Sequence, residues 1–573
     1  HSVRILPSKD HGLRQVATLS HDGPMDAPIT PEHARSMSWV IQLLFLLGIG
    51  RVFWLLLFKK PSGRKQKKDS SPSRLKRIRL VSWVLTLCFM GVLCYQATWQ
   101  LGGLLRPQFV SFMQRHDRRV FNPALQIQRG RIIDRHGAPL AENRKQEGAV
   151  IRHYPLGKAA AHLVGYFHPS YGIHGLESAA NPNLSGLDDF SLEGWDSIRR
   201  QLITREELPQ GKDLRLTLDG RLQKAIYQSL SLQRYDDKAN AFAGKPLKGA
   251  VIMLDIRDGS ILAACSTPAY DPNQLRQVMG DNAPYGSPLL NRALHGLYPP
   301  GSIFKVAIGS YYLEKILLGA GFPLEIDCGP EYRTPDGKGI IRDYVYYAYQ
   351  ARGASWPGFG SIDLGKAIEQ SCNVYFATVG ETIGPEGYAW LRQLMRLDQS
   401  LTIFKGTFEP LQSARSRLPD VQEGNAFELA MMGIGQGALM VTPLHMAMIT
   451  ACVANDGILM QPRLTFSETT QKLGRAMSES TALHMQRMMG RVTSNGTARK
   501  AFEGFAMSTG GKTGSAENPS GDAHAWFIGF APLERPQVAV AVAIENGGSG
   551  GGTAAPIARM ALEQAMRLGL LSP

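Results

Sequence analysis

Closely spaced cysteines are missing from this sequence. Only six of its 573 residues are cysteine, at positions 88, 94, 265, 328, 372 and 452, and no two of them form a C-x-x-C pair. Zinc sites in proteins are built from such pairs or from cysteines combined with closely spaced histidines. We therefore predict no metal site and no cofactor, and the cysteine spacing indicates no particular disulfide.

A nucleic-acid-binding motif is also missing, although the formal net charge is +15. The segment KKPSGRKQKKDSSPSRLKRIR, residues 59–79, holds ten Lys or Arg residues and one Asp, so it supplies +9 of that charge. The remaining chain is only mildly basic, and apolar runs flank the basic segment on both sides. These features favour a membrane-proximal loop over an arm that binds nucleic acid.

Two long apolar runs flank the basic loop, at residues 37–58 and 80–101. Each is long enough to span a bilayer, and the second contains no charged residue. Arg51 interrupts the first run, which leaves a membrane-surface helix or a buried core helix as an alternative. The positive-inside rule places the loop in the cytoplasm, so the N-terminal tail, residues 1–36, and the chain after about residue 102 would lie outside.

No internal repeat is present, and the length predicts two or three domains. Mixed strand and turn signals up to about residue 240 come without a set of catalytic residues, which indicates a scaffold. From about residue 245 the pattern is a hairpin at 248–266, then helices, three strands at 511–517, 524–530 and 538–546, and a helix at about 554–568. Two short helices are predicted around Ser371. This order predicts an α+β fold with an antiparallel sheet flanked by helices.

Ser302 and Lys305 stand three residues apart at the predicted start of a helix. The Pro300-Gly301 turn would place the Ser302 hydroxyl near free backbone N–H groups and the positive end of the helix dipole. Lys305 follows one turn later on the same face. Burial or a second cation can lower the pKa of a lysine enough for its neutral amine to accept a proton. We therefore predict a nucleophile and its base.

A hydroxyl and an amide, Ser371 and Asn373, stand on either side of Cys372, which we interpret as a filler. Neither this pattern nor an isolated S-x-x-K or K-T-G is specific. Together, in this order and in these structural contexts, the three form the signature of serine acyl-enzymes.

The segment GKTGSAE supplies the third part of that signature. Lys512 could hold a substrate carboxylate and lower the pKa of the S-x-x-K lysine. Thr513 and Ser515 lie on one face of the predicted strand, and Gly514 would let another backbone approach closely. The backbone N–H groups of Ser302 and Ser515 could form an oxyanion hole.

From about residue 80 to its end, the chain resembles the class B penicillin-binding proteins, the monofunctional transpeptidases of bacterial cell-wall synthesis. The resemblance covers the three motifs and the segments RGRIIDRHGAPLAEN (129–143), GAVIMLDIRDGSILAACSTPAYDPN (249–273), NRALHGLYPPGSIFK (291–305), GIGQGALMVTPLHMA (433–447), TSNGTA (493–498) and HAWFIGFAP (524–532). It implies a transpeptidase domain, residues 241–573, on an elongated β-rich pedestal, residues 102–240, behind N-terminal transmembrane segments.

The resemblance also implies a role for each site residue. Ser302 would be the acylated nucleophile and Lys305 the proton acceptor. Ser371 would relay a proton to the leaving amine, and Asn373 would help to bind the peptide. The residues that would bind the terminal carboxylate and the carbonyl are Lys512, Thr513, Gly514 and Ser515.

The implied activity is that of a D,D-transpeptidase that cross-links peptidoglycan stem peptides and is inhibited by beta-lactams. Its catalytic domain would lie on the outer side of the bacterial plasma membrane, with a multi-span membrane glycosyltransferase as partner. The roughly 140 residues before the transpeptidase domain are too few for a glycosyltransferase domain of its own. Class B members usually have one span, so the second span departs from the family pattern.

Other functions use the same catalytic residues. A D,D-carboxypeptidase or a beta-lactamase would transfer the acyl group to water, and a beta-lactam sensor would signal through the membrane segments. The histidines at 174, 295 and 524 are interpreted as structural residues and not as acids or bases. The methionines at 431, 432, 440, 446 and 448 are interpreted as core filling.

Overall fold

The computed structural model describes residues 80–92, 95, 128–146, 149–186, 210–236, 240–279, 285–335, 337, 339–407, 409–421, 424–519 and 521–572. The predicted tail, first span and basic loop lie outside these residues. Residues 80–92 form a helix, and most of the rest of the second predicted span is likewise outside the described part. No helix within the described part is both long and apolar enough to cross a membrane.

A small four-stranded sheet begins the described part of the predicted pedestal. Its strands lie in the order Ala149–His153, Pro139–Gln146, Ile132–Ile133 and Leu214–Arg215, and the last pair is parallel. A strand pair and three short helices complete this region: Tyr166–His168, Gly172–His174, Ala161–Val164, Leu176–Ala179 and Asn181–Ser185.

Asp134 and Gly137 bracket a tight turn after the strand Ile132–Ile133. The Asp134 carboxylate accepts hydrogen bonds from the backbone N–H groups of His136 and Ala138, both at 2.8 Å. Gly137 has a φ of 88°, a conformation that glycine adopts without steric penalty.

A buried ion cluster lies in the same region. Glu177 is fully buried and bonds Arg129 at 2.6 Å and Arg152 at 2.7 Å. Burial alone would raise the pKa of Glu177, but the two guanidinium groups lower it below its usual value. Because a buried charge is strongly destabilising when it loses its partner, these residues fix the packing of this region.

A five-stranded antiparallel sheet forms the centre of the predicted transpeptidase domain. Its strands lie in the order Gly510–Asn518, Gly521–Ala531, Val538–Ile544, Gly249–Asp255 and Ile261–Thr267. The strand Val538–Ile544 is buried along its whole length, since the helices Pro443–Ala454 and Ala555–Arg567 both pack on it. The α+β class, the hairpin and the three later strands are confirmed.

Helix starts follow the sequence signals. The Thr442 hydroxyl accepts a hydrogen bond from His445 N, and the Asp219 carboxylate does the same for Arg221 N and Leu222 N. The other helices of eight residues or more that are described in this region are Gly220–Leu232, Lys305–Leu317, Asn373–Leu394, Ala426–Gly433 and Glu479–Ser494. Shorter elements are Leu275–Gln277, Arg292–His295, Gly301–Phe304, Tyr344–Gln350, Leu364–Gln370, Arg499–Phe502 and Gly550–Ala554.

The two short helices predicted around Ser371 are present. The first is Leu364–Gln370, and the second begins at Asn373 and is interrupted at Gly384, whose φ of 58° and ψ of −173° are not helical, before helical structure continues to Leu394. Gly380 lies within the second helix, and a Cβ on that glycine would lie 2.8 Å from the Cα of Gly433. Gly380 therefore allows two helices to pack closely and does not end its own helix.

Four further strand pairs are present among the described residues of the predicted transpeptidase domain. They are Glu331–Arg333 with Ile340–Arg342, Glu325–Cys328 with Gly360–Asp363, Thr402–Phe404 with Leu411–Gln412, and Ile458–Met460 with Lys472–Arg475. Both strands of the first pair precede the helix Tyr344–Gln350 in the chain, and the two strands of the second pair lie on either side of it.

Candidate active site

Ser302 lies in a short turn of 3-10 helix, Gly301–Phe304, immediately before the α-helix that begins at Lys305. The predicted helix start is therefore correct, and the serine occupies the tighter turn in front of the α-helix. Gly301 has a φ of 56°, and its N–H donates to the carbonyl of Gly435 at 2.8 Å. This contact fixes the turn that presents Ser302 against a second backbone segment.

Lys305 is completely buried. Its Nζ donates hydrogen bonds to the carbonyl oxygen of Ser371 at 2.8 Å and to Asn373 Oδ1 at 2.7 Å, and it lies 3.5 Å from Ser371 Oγ. The structure thus brings together the lysine of S-x-x-K with the serine and the asparagine of S-x-N, although 66 or more residues separate them.

Lys512 approaches the same serine from the sheet. Its Nζ is fully buried and donates to Ser371 Oγ at 2.8 Å. Burial, and then the charge of Lys305, hold the pKa of Lys512 well below its usual value. The two amines therefore converge on one hydroxyl, and protonation of either opposes protonation of the other.

Burial also lowers the pKa of Lys305, to about 8, while the nearby carboxylate of Asp343 opposes this shift. At that value a substantial fraction of the amine is neutral near physiological pH. A neutral amine can accept a proton from one hydroxyl group and return it to another, and the Ser371 hydroxyl lies 3.5 Å from Lys305 Nζ.

Ser371 has a left-handed backbone conformation, with φ 59° and ψ 38°, which non-glycine residues seldom adopt. Ser371 lies between the end of one helix and the start of the next. Cys372 caps the first turn of the second helix, because its thiol accepts a hydrogen bond from Tyr375 N. Cys372 is fully buried, and burial raises the pKa of its thiol. This is the environment of a packing residue, as predicted, and not of a reactive thiolate.

Sequence reasoning missed Asp343. Its carboxylate accepts a hydrogen bond from the backbone N–H of Asn373 and another, at 3.5 Å, from the Cys372 thiol. The Asn373 side chain is held further by its Nδ2, which donates to the carbonyl of Arg342 at 2.9 Å. The sequence signal was weak, because a single Asp before a helix is usually only a cap.

The strand that contains Lys512, Gly510–Asn518, lies directly beside the turn that carries Ser302. A Cβ on Gly514 would lie 3.1 Å from the carbonyl oxygen of Pro300 and 3.2 Å from Ile303 N, so the close approach predicted at this glycine is present. Thr513 Oγ1 lies 2.6 Å from Thr497 Oγ1, which belongs to the TSNGTA segment. Thr497 is a second residue that sequence reasoning missed.

Ser515 lies at the exposed end of this motif. Its hydroxyl accepts a hydrogen bond from Gly550 N at 3.2 Å. A Cβ on Gly301 would lie 2.9 Å from the carbonyl oxygen of Ser515. The two residues proposed to line the oxyanion hole, Ser302 and Ser515, are therefore on adjoining backbone segments.

The histidines have structural partners, as predicted. His524 Nδ1 accepts from Asn546 N at 3.0 Å, and burial lowers the pKa of this histidine. The ring of His295 bonds the carbonyl of Gln412 at 3.0 Å, and His174 stacks on Tyr166.

Two family models match the chain. Residues 249–563 match the penicillin binding protein transpeptidase domain, and residues 129–211 match the penicillin binding protein A dimerisation domain. The sequence is 31% identical over 450 residues to the peptidoglycan D,D-transpeptidase PbpA of Mycolicibacterium smegmatis, covering 73% of this chain and 85% of PbpA. It is 27% identical over 485 residues to MrdA of Salmonella typhimurium, covering 72% of each.

Solved structures give the same result. The fold matches penicillin-binding protein A of M. tuberculosis in its ceftriaxone acyl-enzyme complex, with a TM-score of 0.64, 29% identity, and coverage of 77% of this chain and 99% of that one. It matches the D,D-transpeptidase domain of a peptidoglycan glycosyltransferase from Eggerthella lenta with a TM-score of 0.62 and 28% identity, covering 77% and 98%. Since the transpeptidase match alone spans more than half of the sequence, this chain belongs to the class B penicillin-binding proteins.

Proposed function

We propose that this protein is a serine-type D,D-transpeptidase that cross-links the stem peptides of peptidoglycan through an acyl-enzyme on Ser302. The observation that carries the proposal is the buried amine of Lys305, one turn after Ser302, with its pKa lowered to about 8. The names of the relatives support the substrate, since both PbpA and MrdA are peptidoglycan D,D-transpeptidases.

The first half of the reaction forms the ester. Ser302 Oγ attacks the carbonyl carbon between the two terminal D-alanines while the neutral amine of Lys305 takes its proton. The backbone N–H groups of Ser302 and Ser515 stabilise the oxyanion. Lys512 and Thr513 bind the terminal carboxylate, because they lie on the strand beside the nucleophile turn.

The second half releases the terminal D-alanine and transfers the acyl group. Ser371 Oγ lies between the two lysine amines, at 3.5 Å from Lys305 Nζ and 2.8 Å from Lys512 Nζ, so it can pass a proton to the leaving amine. An amine of a neighbouring stem peptide then attacks the ester and regenerates the serine. The ester retains the energy of the cleaved peptide bond, so no nucleotide is needed outside the cell.

Incubation with a fluorescent penicillin followed by peptide mapping tests the proposal. We expect one label per chain, on Ser302, and none in a Ser302→Ala variant, because the hydroxyl is the acylated atom. Label on any other serine would overturn the assignment.

Product analysis with stem peptides separates the transpeptidase from its alternatives. Cross-linked dimers are expected from a transpeptidase, whereas trimmed monomers with free D-alanine would indicate a carboxypeptidase. A protein that is acylated by penicillin but forms neither product would be a beta-lactam sensor.

We also propose that the enzyme is anchored in the plasma membrane with its catalytic domain outside. Support comes from the helix at residues 80–92, where Trp83 is 68% and Leu87 is 67% exposed, which would be unfavourable in water. The proposed segments are the tail 1–36, spans 37–58 and 80–101, the cytoplasmic loop 59–79, the pedestal 102–240 and the transpeptidase domain 241–573. A multi-span membrane glycosyltransferase would supply the glycan strands.

The rate constant for acylation should rise with pH and level off above about 8, the pKa to which burial lowers Lys305. Below that pH the amine is protonated and cannot accept the Ser302 proton, so each further unit should lower the rate about tenfold. The carboxylate of Asp343 raises the Lys305 pKa, so an Asp343→Asn variant should have a lower midpoint.

Stopped-flow acylation by a fluorescent penicillin, from about pH 6 to about pH 10, measures both profiles. The asparagine keeps an oxygen that can accept the hydrogen bond from Asn373 N, so the variant changes mainly charge. A midpoint that stays in place or moves upward in Asp343→Asn would contradict Lys305 as the titrating base.

A further inference from the structure

The helix Tyr344–Gln350, which we call the tyrosine helix, has the sequence YVYYAYQ and buries none of its residues. Tyr344 is 54% and Tyr347 is 51% exposed. Large apolar rings grouped on a surface usually mark a binding site, because water solvates them poorly. The helix carries no charged residue, so its ligand is expected to be neutral and polar rather than ionic.

The tyrosine helix is continuous with the catalytic site. Asp343, the residue before it, holds the backbone of Asn373, and the carbonyl of Arg342 holds the Asn373 side chain. The other end of that same amide accepts the hydrogen bond from Lys305 Nζ at 2.7 Å. One side-chain amide therefore separates the catalytic lysine from the strand end that leads into the helix.

The reach of the substrate fits this position. Summing these contacts places the Arg342 carbonyl within about 8 Å of Lys305 Nζ, and Tyr344 is two residues further, at most about 7 Å more. In a stem peptide, about four residues separate the sugar from the cleaved bond, or about 13 Å when extended. The sugars of a strand whose peptide is in the active site therefore lie about as far from the cleaved bond as the tyrosine helix lies from Lys305 Nζ.

We propose that Tyr344 and Tyr347 bind the glycan backbone of the substrate strand. The apolar C–H face of a sugar ring packs on an aromatic ring, and the phenol hydroxyls can bond the hydroxyl and acetamido groups of an uncharged aminosugar. This inference rests on the proposed transpeptidase function, and it names the part of the substrate that lies outside the peptide cleft.

The test compares two substrates for one double variant, Tyr344→Ala with Tyr347→Ala. Uncross-linked glycan strands that carry stem pentapeptides should show a KM raised about tenfold with kcat little changed, because the lost contacts act in binding. The free stem pentapeptide should react as with the wild-type enzyme. A Tyr344→Phe/Tyr347→Phe variant keeps the rings and should recover most of the affinity for the strands.

Two controls separate this inference from the function on which it rests. Labelling by fluorescent penicillin, which carries no glycan, should proceed normally in the alanine double variant and shows that the site is folded. Tyr171→Ala removes another exposed tyrosine, from the predicted pedestal, and should leave both KM values unchanged. Equal KM values for wild type and double variant on glycan strands would overturn the glycan site, whereas loss of penicillin labelling in the wild type would overturn the function.

Discussion

Replacing Lys305 with methionine is expected to lower the rate of acylation by penicillin about 10³- to 10⁴-fold, the range at the upper end of general base catalysis. Methionine has a similar unbranched shape, so it keeps the packing of the fully buried side chain while removing the amine. Without that amine, the Ser302 proton has no acceptor one turn away. The rate constant with a fluorescent penicillin measures the loss directly.

Stability must be followed in the same variant. The Ser371 carbonyl and Asn373 Oδ1 lose the donor that Lys305 Nζ supplies, so we expect destabilisation of about 1–3 kcal/mol. Lys315→Ala, near the outer end of the same helix, is the matched control and should keep both its acylation rate and its melting temperature. A Lys305→Met protein that folds and is acylated at the wild-type rate would rule out Lys305 as the base.

Turns and strands could be predicted from residues that are close together in the sequence. The turn at Asp258 and Gly259 links two strands that are both buried, and Gly259 has the positive φ of 72° that such a turn requires. The three late strands could be predicted equally well, because each depends on residues that are neighbours in the chain. The spacing of a sequence pattern is enough to predict such features.

The spacing of residues in the sequence was not enough to predict that the three motifs meet at one site. Lys305, Ser371 and Lys512 meet because a helix, a helix junction and a strand from separate parts of the chain pack together. Their grouping was predicted from the order of the three motifs and from the family resemblance. Asp343 was missed for the same reason, since its contact with Asn373 spans thirty residues and matches no motif.

The helix after Cys372 shows the same limit of prediction from a single sequence. Gly380 resembles a helix end in the sequence, but its missing side chain is needed for contact with Gly433, more than fifty residues away. A glycine required by close packing and a glycine required by a turn are identical in a single sequence. Only the position of the second helix distinguishes them.

Substitution of Gly435, in the GIGQG segment, is also expected to have a large effect on the acylation rate. Gly435→Ala should lower the acylation rate about 100-fold or more, because the new Cβ would lie 2.0 Å from the carbonyl oxygen of Gly301. Backbone atoms on both sides cannot rotate away, so the turn that presents Ser302 must move. A shift of about 1 Å at a reacting group is enough for a loss of this size.

Gly437→Ala is the matched control, two residues later. Both glycines have a left-handed backbone, with φ of 76° and 81°, so each alanine should cost about 1–2 kcal/mol of folding stability for that conformation alone. A Cβ on Gly437 would meet only Met431 Cβ, at 3.8 Å. We therefore expect Gly437→Ala to lower the melting temperature while its acylation rate stays within about threefold of wild type. Similar acylation rates in the two variants would show that the contact between Gly301 and Gly435 does not position the nucleophile.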